Sequence, residues 1–154
     1  MTLSELIKTL EIIASHQPSI KMVVENDIFR LNNKADARYG VFAFLQGQHS
    51  TSIDSSVITY AFTLFYVDRL KNDRSNQIEI QSVGIQTLDN IIRALDDLGI
   101  YSEQSYTFQV FNQRFSDECA GVFCQVNLSV PVGSLCPETF EDFNADFNDD
   151  FMIY

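Results

Sequence analysis

The chain has 154 residues, 45% of them hydrophobic and 20% charged, with 6 Gly and 3 Pro, which fits one folded domain burying roughly two-thirds of its unfolded surface and leaves no flexible-linker segment. A formal net charge of −11 repels phosphate backbones at long range and argues against a dedicated DNA- or RNA-binding role. The N-terminus carries Glu5 where a secretory segment would carry bases, and no apolar run approaches the ~20 residues of a membrane helix, so synthesis in a reducing cytosol with free Cys119, Cys124 and Cys136 is expected.

Thr2 and Glu5 have the spacing of a capping box, and Leu6, Leu10, Ile13 and Ala14 then recur at helical intervals until Pro18. A short amphipathic helix is predicted there. Residues 20–31 read as a strand, a turn and a second short strand, and 32–38 as a polar loop. Val41–Leu45 is a short strand with the look of a buried one. A Ser/Thr-rich loop from His49 to Ser56 leads into Val57–Val67, about eleven residues of strong strand formers. Tyr60, Phe62, Leu64 and Tyr66 line one face of that strand; Ala61, Thr63, Phe65 and Val67 line the other. Both faces are mostly apolar, so both require covering, one by the chain's own helices and the other by a neighbouring subunit.

After a charged turn at 68–75, Asn76 and Glu79 repeat the capping-box spacing and open a longer helix. Ile78, Ile85, Leu88, Ile91, Ile92, Leu95 and Leu98 mark its apolar face, and Gly99 its C-cap. Gly84 inside it would weaken the helix by about 1 kcal/mol relative to Ala unless close packing requires the missing side chain. Two strands follow, one from Tyr106 to about Phe115 and one from Val122 to Val132. The predicted fold class is α+β: an antiparallel sheet of long hairpins covered by two helices. Residues 1–136 form the domain. Residues 137–154 add six acids and no base, with Phe140, Phe143, Phe147 and Phe151 spaced 3, 4 and 4 apart; this acidic-aromatic extension suits docking in a groove on a partner.

Catalytic signatures are missing. The chain has no Gly-rich phosphate loop, no Gly-x-Ser-x-Gly elbow and no His-Glu-x-x-His. His16 falls in the last turn of the first helix, where an imidazole meets the terminal carbonyls. His49 stands in the Ser/Thr loop near Ser50, Ser52 and Asp54, but triads are not assembled from adjacent loop residues. Cys119 and Cys124 lack the paired spacing of a zinc site. Asp142, Asn144 and Asp146 alternate, yet no Gly or bidentate Glu completes a calcium loop. No enzyme, metal or cofactor is expected.

The stretch Tyr60-Ala-Phe-Thr-Leu-Phe-Tyr-Val-Asp68-Arg-Leu forms a pattern with Asp73-Arg-Ser-Asn-Gln-Ile-Glu79, Ser82 and Leu88-Asp-Asn-Ile-Ile-Arg-Ala-Leu95. Arg114-Phe-Ser-Asp-Glu-Cys-Ala-Gly121, leading into Val122-Phe-Cys-Gln-Val-Asn-Leu-Ser-Val-Pro131, belongs to the same pattern. Over roughly residues 57–136 it resembles neck and tail-completion proteins of tailed bacteriophages, notably crAss-like phages of Bacteroides, and more loosely tail-terminator proteins. The resemblance implies a structural virion protein, assembled in the host cytoplasm and forming a homo-oligomeric ring (hexamer or dodecamer) against portal, collar or tail proteins. DNA would pass through the channel without sequence-specific binding, and no membrane is involved. On this reading Gln48, His49 and Asp54 in the Gln46–Ser56 tip project toward a neighbour or the lumen. Tyr60, Phe62, Leu64 and Tyr66 supply the sheet-to-subunit contact, and Asp68, Asp73 and Arg74 form turn or inter-subunit ion pairs. Phe140, Phe143, Phe147 and Phe151 anchor the extension on an adjacent ring protein. A reading of a different class is a cellular adaptor that docks through the acidic-aromatic extension alone.

Overall fold

The computed structural model describes residues 1–25, 40–101, 103–114 and 118–131. Along the chain these form α1 (Leu3–Ser15), β1 (Met22–Glu25), β2 (Val41–Gln46), β3 (Val57–Arg69), α2 (Gln77–Asp97), β4 (Phe108–Arg114) and β5 (Glu118–Pro131). The α+β class is as expected.

Helix α1 starts on the reciprocal cap its sequence predicts: Thr2 Oγ1 accepts from the Glu5 N–H at 3.2 Å, and the Glu5 carboxylate accepts from the Thr2 N–H at 2.8 Å. Two orphan donors of the first turn are thereby satisfied. At the other end His16 is the C-cap, its Nδ1 lying 2.7 Å from the Ile12 carbonyl. Leu6, Leu10 and Ala14 are buried.

Helix α2 departs from expectation at its start. The Asn76 side chain makes no cap hydrogen bond. Its Oδ1 accepts from the Lys71 N–H at 2.9 Å, and its Nδ2 donates to the Arg69 carbonyl at 3.1 Å, so it staples the β3–α2 turn. Backbone groups of the tight turn compete for the same amide, and they win. The end of α2 conforms: Gly99 takes φ +75°, the Gly99 N–H donates to Asp96 and the Ile100 N–H to Leu95, which is the Schellman arrangement.

The five strands form one sheet in the order β1-β2-β3-β5-β4. All pairings are antiparallel except β1 with β2, which is parallel. That exception was not predicted; the connection over residues 26–40 is long enough for the crossover a parallel pair needs. The second short strand expected near residues 28–31 lies outside the described residues.

Both helices pack on one face of the sheet. From α1 and α2 come Leu6, Leu10, Leu88, Ile91 and Leu95, and from the sheet Phe42, Phe44, Phe62, Leu64, Val122 and Leu128, all in one buried cluster. Gly84 is where helix and sheet approach most closely: a Cβ there would lie 2.9 Å from Tyr66 Cδ1 and 3.0 Å from Val122 Cγ2. The close packing anticipated for this glycine is present.

Candidate protein-docking surface

The face of the sheet turned away from the helices is the candidate site. Strand alternation puts Thr59, Ala61, Thr63 and Phe65 of β3 there, beside Phe123, Gln125, Asn127 and Ser129 of β5 and Phe111 of β4. No described helix lies over it. At one end Val24, Val41, Ala43, Val67 and Cys119 form a small buried cluster, with Phe65 and Phe111 packed partly buried against it.

Three phenylalanines form the centre of this face. Phe65 and Phe123 lie side by side with ring centroids 5.7 Å apart, and Phe111 meets them at 6.3 Å and 6.2 Å. Offset and edge contacts of this kind add to the stabilisation from burial. Gly121 makes the arrangement possible, because a Cβ there would lie 2.8 Å from Phe111 Cζ and 2.0 Å from the Tyr66 carbonyl. All three rings are half-buried. Along β3 and β5 the patch grades into hydroxyls and amides, with Thr59 Oγ1 3.2 Å from Ser129 Oγ and with Gln125 and Asn127 exposed. An aromatic centre with a polar, hydrogen-bonding margin matches the anatomy of a protein interface.

This face is not the one expected to meet a subunit. Tyr60, Phe62, Leu64 and Tyr66 are buried under α1 and α2 within the same chain, so they hold the core together and reach no partner. The two faces of β3 are nearly equal in apolar content, and the helices settled on the larger side chains. Burial pushes the Tyr66 hydroxyl well above its usual range, reinforced by the charge of Asp68, to which it donates a 3.4 Å hydrogen bond.

The remaining expected residues are dispersed. Gln48 and Asp54 are exposed at the β2–β3 connection, and Ile53 between them is fully exposed. The His49 ring turns back on its own hairpin, 5.1 Å from the Tyr60 ring. Its Nδ1 accepts from the Ala61 N–H at 3.2 Å and its Nε2 lies 2.9 Å from Gln46 Oε1. It therefore takes the place of a backbone acceptor where residues 47–49 bulge out of the ladder. Asp73 closes the β3–α2 turn: hydrogen bonds from Ser75, chiefly its N–H at 3.0 Å to Oδ1, hold its carboxyl below the usual carboxylate range. Arg74 follows with φ +59°, and Asp68 Oδ1 accepts from the Arg69 N–H at 2.7 Å. Asp68 and Asp73 thus serve local turn geometry. Phe140, Phe143, Phe147 and Phe151 lie outside the described residues, and with them the extension on which an adaptor role would rest.

A second cluster joins α2 to the segment before β4. Asp89 accepts from the Tyr106 hydroxyl and, at 2.8 Å, from Arg93 Nε. Burial works against the charge on Asp89, yet these two donors outweigh it and hold its carboxyl below the usual range. Tyr101 stacks edge-on against Tyr106 at 5.7 Å, and burial with the nearby Glu103 charge pushes its hydroxyl up to about 12. The Cys124 thiol, buried beneath, is pushed up to about 11, so little thiolate exists at neutral pH. Nothing in this cluster resembles an activated nucleophile. Among the described residues there is no group of three or more His, Cys, Asp or Glu side chains placed to hold a metal ion, and no helix long and apolar enough to cross a membrane.

No protein-family model matches the chain, and no curated protein matches it.

Proposed function

We propose that this chain is a non-enzymatic structural protein of a tailed-phage virion, forming a ring in the neck or tail around the DNA channel and docking an adjacent portal, collar or tail protein through the outer face of its sheet. The observation that carries this reading is the Phe65–Phe111–Phe123 cluster, half-buried on a face that no described helix covers. Three aromatic rings left partly in water are costly in a chain that acts alone and useful in one that is covered. The resemblance over residues 57–136 supports the setting, and the net charge of −11 suits a surface along which DNA moves without adhering.

Particles assembled with a Phe65→Ser, Phe123→Ser chain test the proposal. Both side chains are half-buried on the outer face, so the variant keeps its circular-dichroism spectrum but is lost from purified particles, while the parent chain is retained and cryo-microscopy places it at the neck or tail. A parent chain absent from particles, or a folded variant incorporated as well as the parent, refutes the reading.

A further inference from the structure

Among the described residues the sheet ends on two open sides, and each is overhung by a helix carrying apolar residues that stay partly exposed. On one side stands β4, which carries no charge and no proline from Phe108 to Gln113 and pairs with β5 without a bulge. Natural edge strands are blunted by those devices, and β4 has none of them before its last residue, Arg114. Val110 points toward the helix layer, one strand out from Val122, which packs under Gly84; yet it is 54% exposed. The flank of α2 above it is the one holding Asp89, which reaches Tyr106 just before β4. Ile78 and Ile85 fall on that same flank by their spacing of seven and four, 74% and 38% exposed. Helix α2 is therefore wide enough to cover one more strand than the described residues provide.

The opposite side has the complementary form. There β1 is the outermost strand, and Leu3 and Ile7 of α1, with Lys8, Glu11 and Glu25, line an open recess of about 370 Å³. The Lys21 N–H donates inward to Gly40, so strand alternation turns the Met22 and Val24 amides outward. The two edges also match in direction: with β1 and β2 parallel and every other pairing antiparallel, β4 runs opposite to β1. A second copy placed beside the first in the same orientation brings β1 against β4 as an antiparallel pair, with both helix layers on the same side.

We propose that copies of this chain join head to tail by adding β1 of one molecule to β4 of the next, with α1 of the newcomer filling the shelf under Ile78 and Ile85. The occupant is a second copy because one contact satisfies both open edges and continues the sheet and the helix layer together. Such a contact is heterologous and closes into a ring when its rotation allows. The inference rests on the ring reading for its setting but not for its test.

Sedimentation of the purified full chain with two blunted variants provides that test. Val110→Lys places a charge at the β4 edge, and Met22→Pro removes an outward amide from β1 while leaving the Lys21–Gly40 bond in place. The parent chain associates as concentration rises. Each variant alone sediments as a monomer with the parent's circular-dichroism spectrum. An equal mixture forms a dimer and nothing larger, since the intact β4 of one meets the intact β1 of the other. A monomeric parent at every concentration, self-association of either variant, or a mixture that stays monomeric overturns the proposal. Should Met22→Pro fail to fold, amide exchange in the parent decides: association slows exchange in β1 and β4 together, and protection confined to any other surface refutes it. A chain that fails here but is found in particles loses only the edge contact; one that passes here and is absent from particles loses the virion assignment.

Discussion

Gly84 shows how one missing methyl group sets the distance between two layers. In an isolated helix, Ala at this position would be favoured by about 1 kcal/mol. Here its Cβ would lie 2.9 Å from the ring of buried Tyr66 and 3.0 Å from Val122, and overpacking of this kind costs about 1–3 kcal/mol. Gly84→Ala is therefore expected to lower stability in chemical denaturation, with the steric loss exceeding the propensity gain; a variant more stable than the parent would mean that the layers part freely at this point. His49 makes a related point about side chains standing in for backbone. With Nδ1 accepting from Ala61, the proton resides on Nε2 and is donated to Gln46 Oε1. A histidine in a Ser/Thr loop invites a catalytic reading, and here it closes a ladder.

At the level of elements, the Asp89 cluster fastens α2 to the segment entering β4, and it predicts an acid sensitivity. The Asp89 carboxyl is held below its ordinary value of 3.8 by Tyr106 and Arg93, against the opposing effect of burial. A folded-state value below the unfolded one means that the charged form stabilises the fold at and above that ordinary value. The contribution disappears as pH falls through the lower, folded value. Asp89→Asn should therefore reduce stability at neutral pH and flatten its decline below about pH 4, measured as melting temperature against pH; parallel curves for variant and parent would remove Asp89 from the account. Elements specified by neighbouring residues were legible in advance. The α1 capping box, the Gly99 cap and the β3 alternation all follow from residues within a few positions of one another. What escaped prediction depends on distant partners. Asn76 was claimed by the Lys71 and Arg69 backbone, β1 found β2 in parallel, and the helices covered Tyr60, Phe62, Leu64 and Tyr66 while Phe65 was left outside. Phe123 and Phe111 could be assigned to strands, but their convergence with Phe65 depends on a register that no local pattern encodes.

For the molecule as a whole, net charge decides what does not bind. A surface of net −11 offers too few cations to displace counterions from a duplex, the step that drives non-specific DNA affinity. The purified chain should leave duplex DNA unshifted in gel mobility at physiological salt. A salt-sensitive shift would require a basic patch that outweighs the overall charge, and would replace passive clearance by grip.

The strand order carries a further consequence for how the chain is made. All 13 residues of β3 pair with β5, and β5 lies between β3 and β4 although the ribosome makes it after both. Until residue 131 has left the exit tunnel, β3 lacks its longest neighbour and β4 has no place in the sheet. A nascent chain in that interval exposes the open β5-side edge of a strand rich in Phe and Tyr, the type of surface that chaperones shield. Arrest of translation ahead of β5 would yield an aggregation-prone fragment in place of a smaller folded unit.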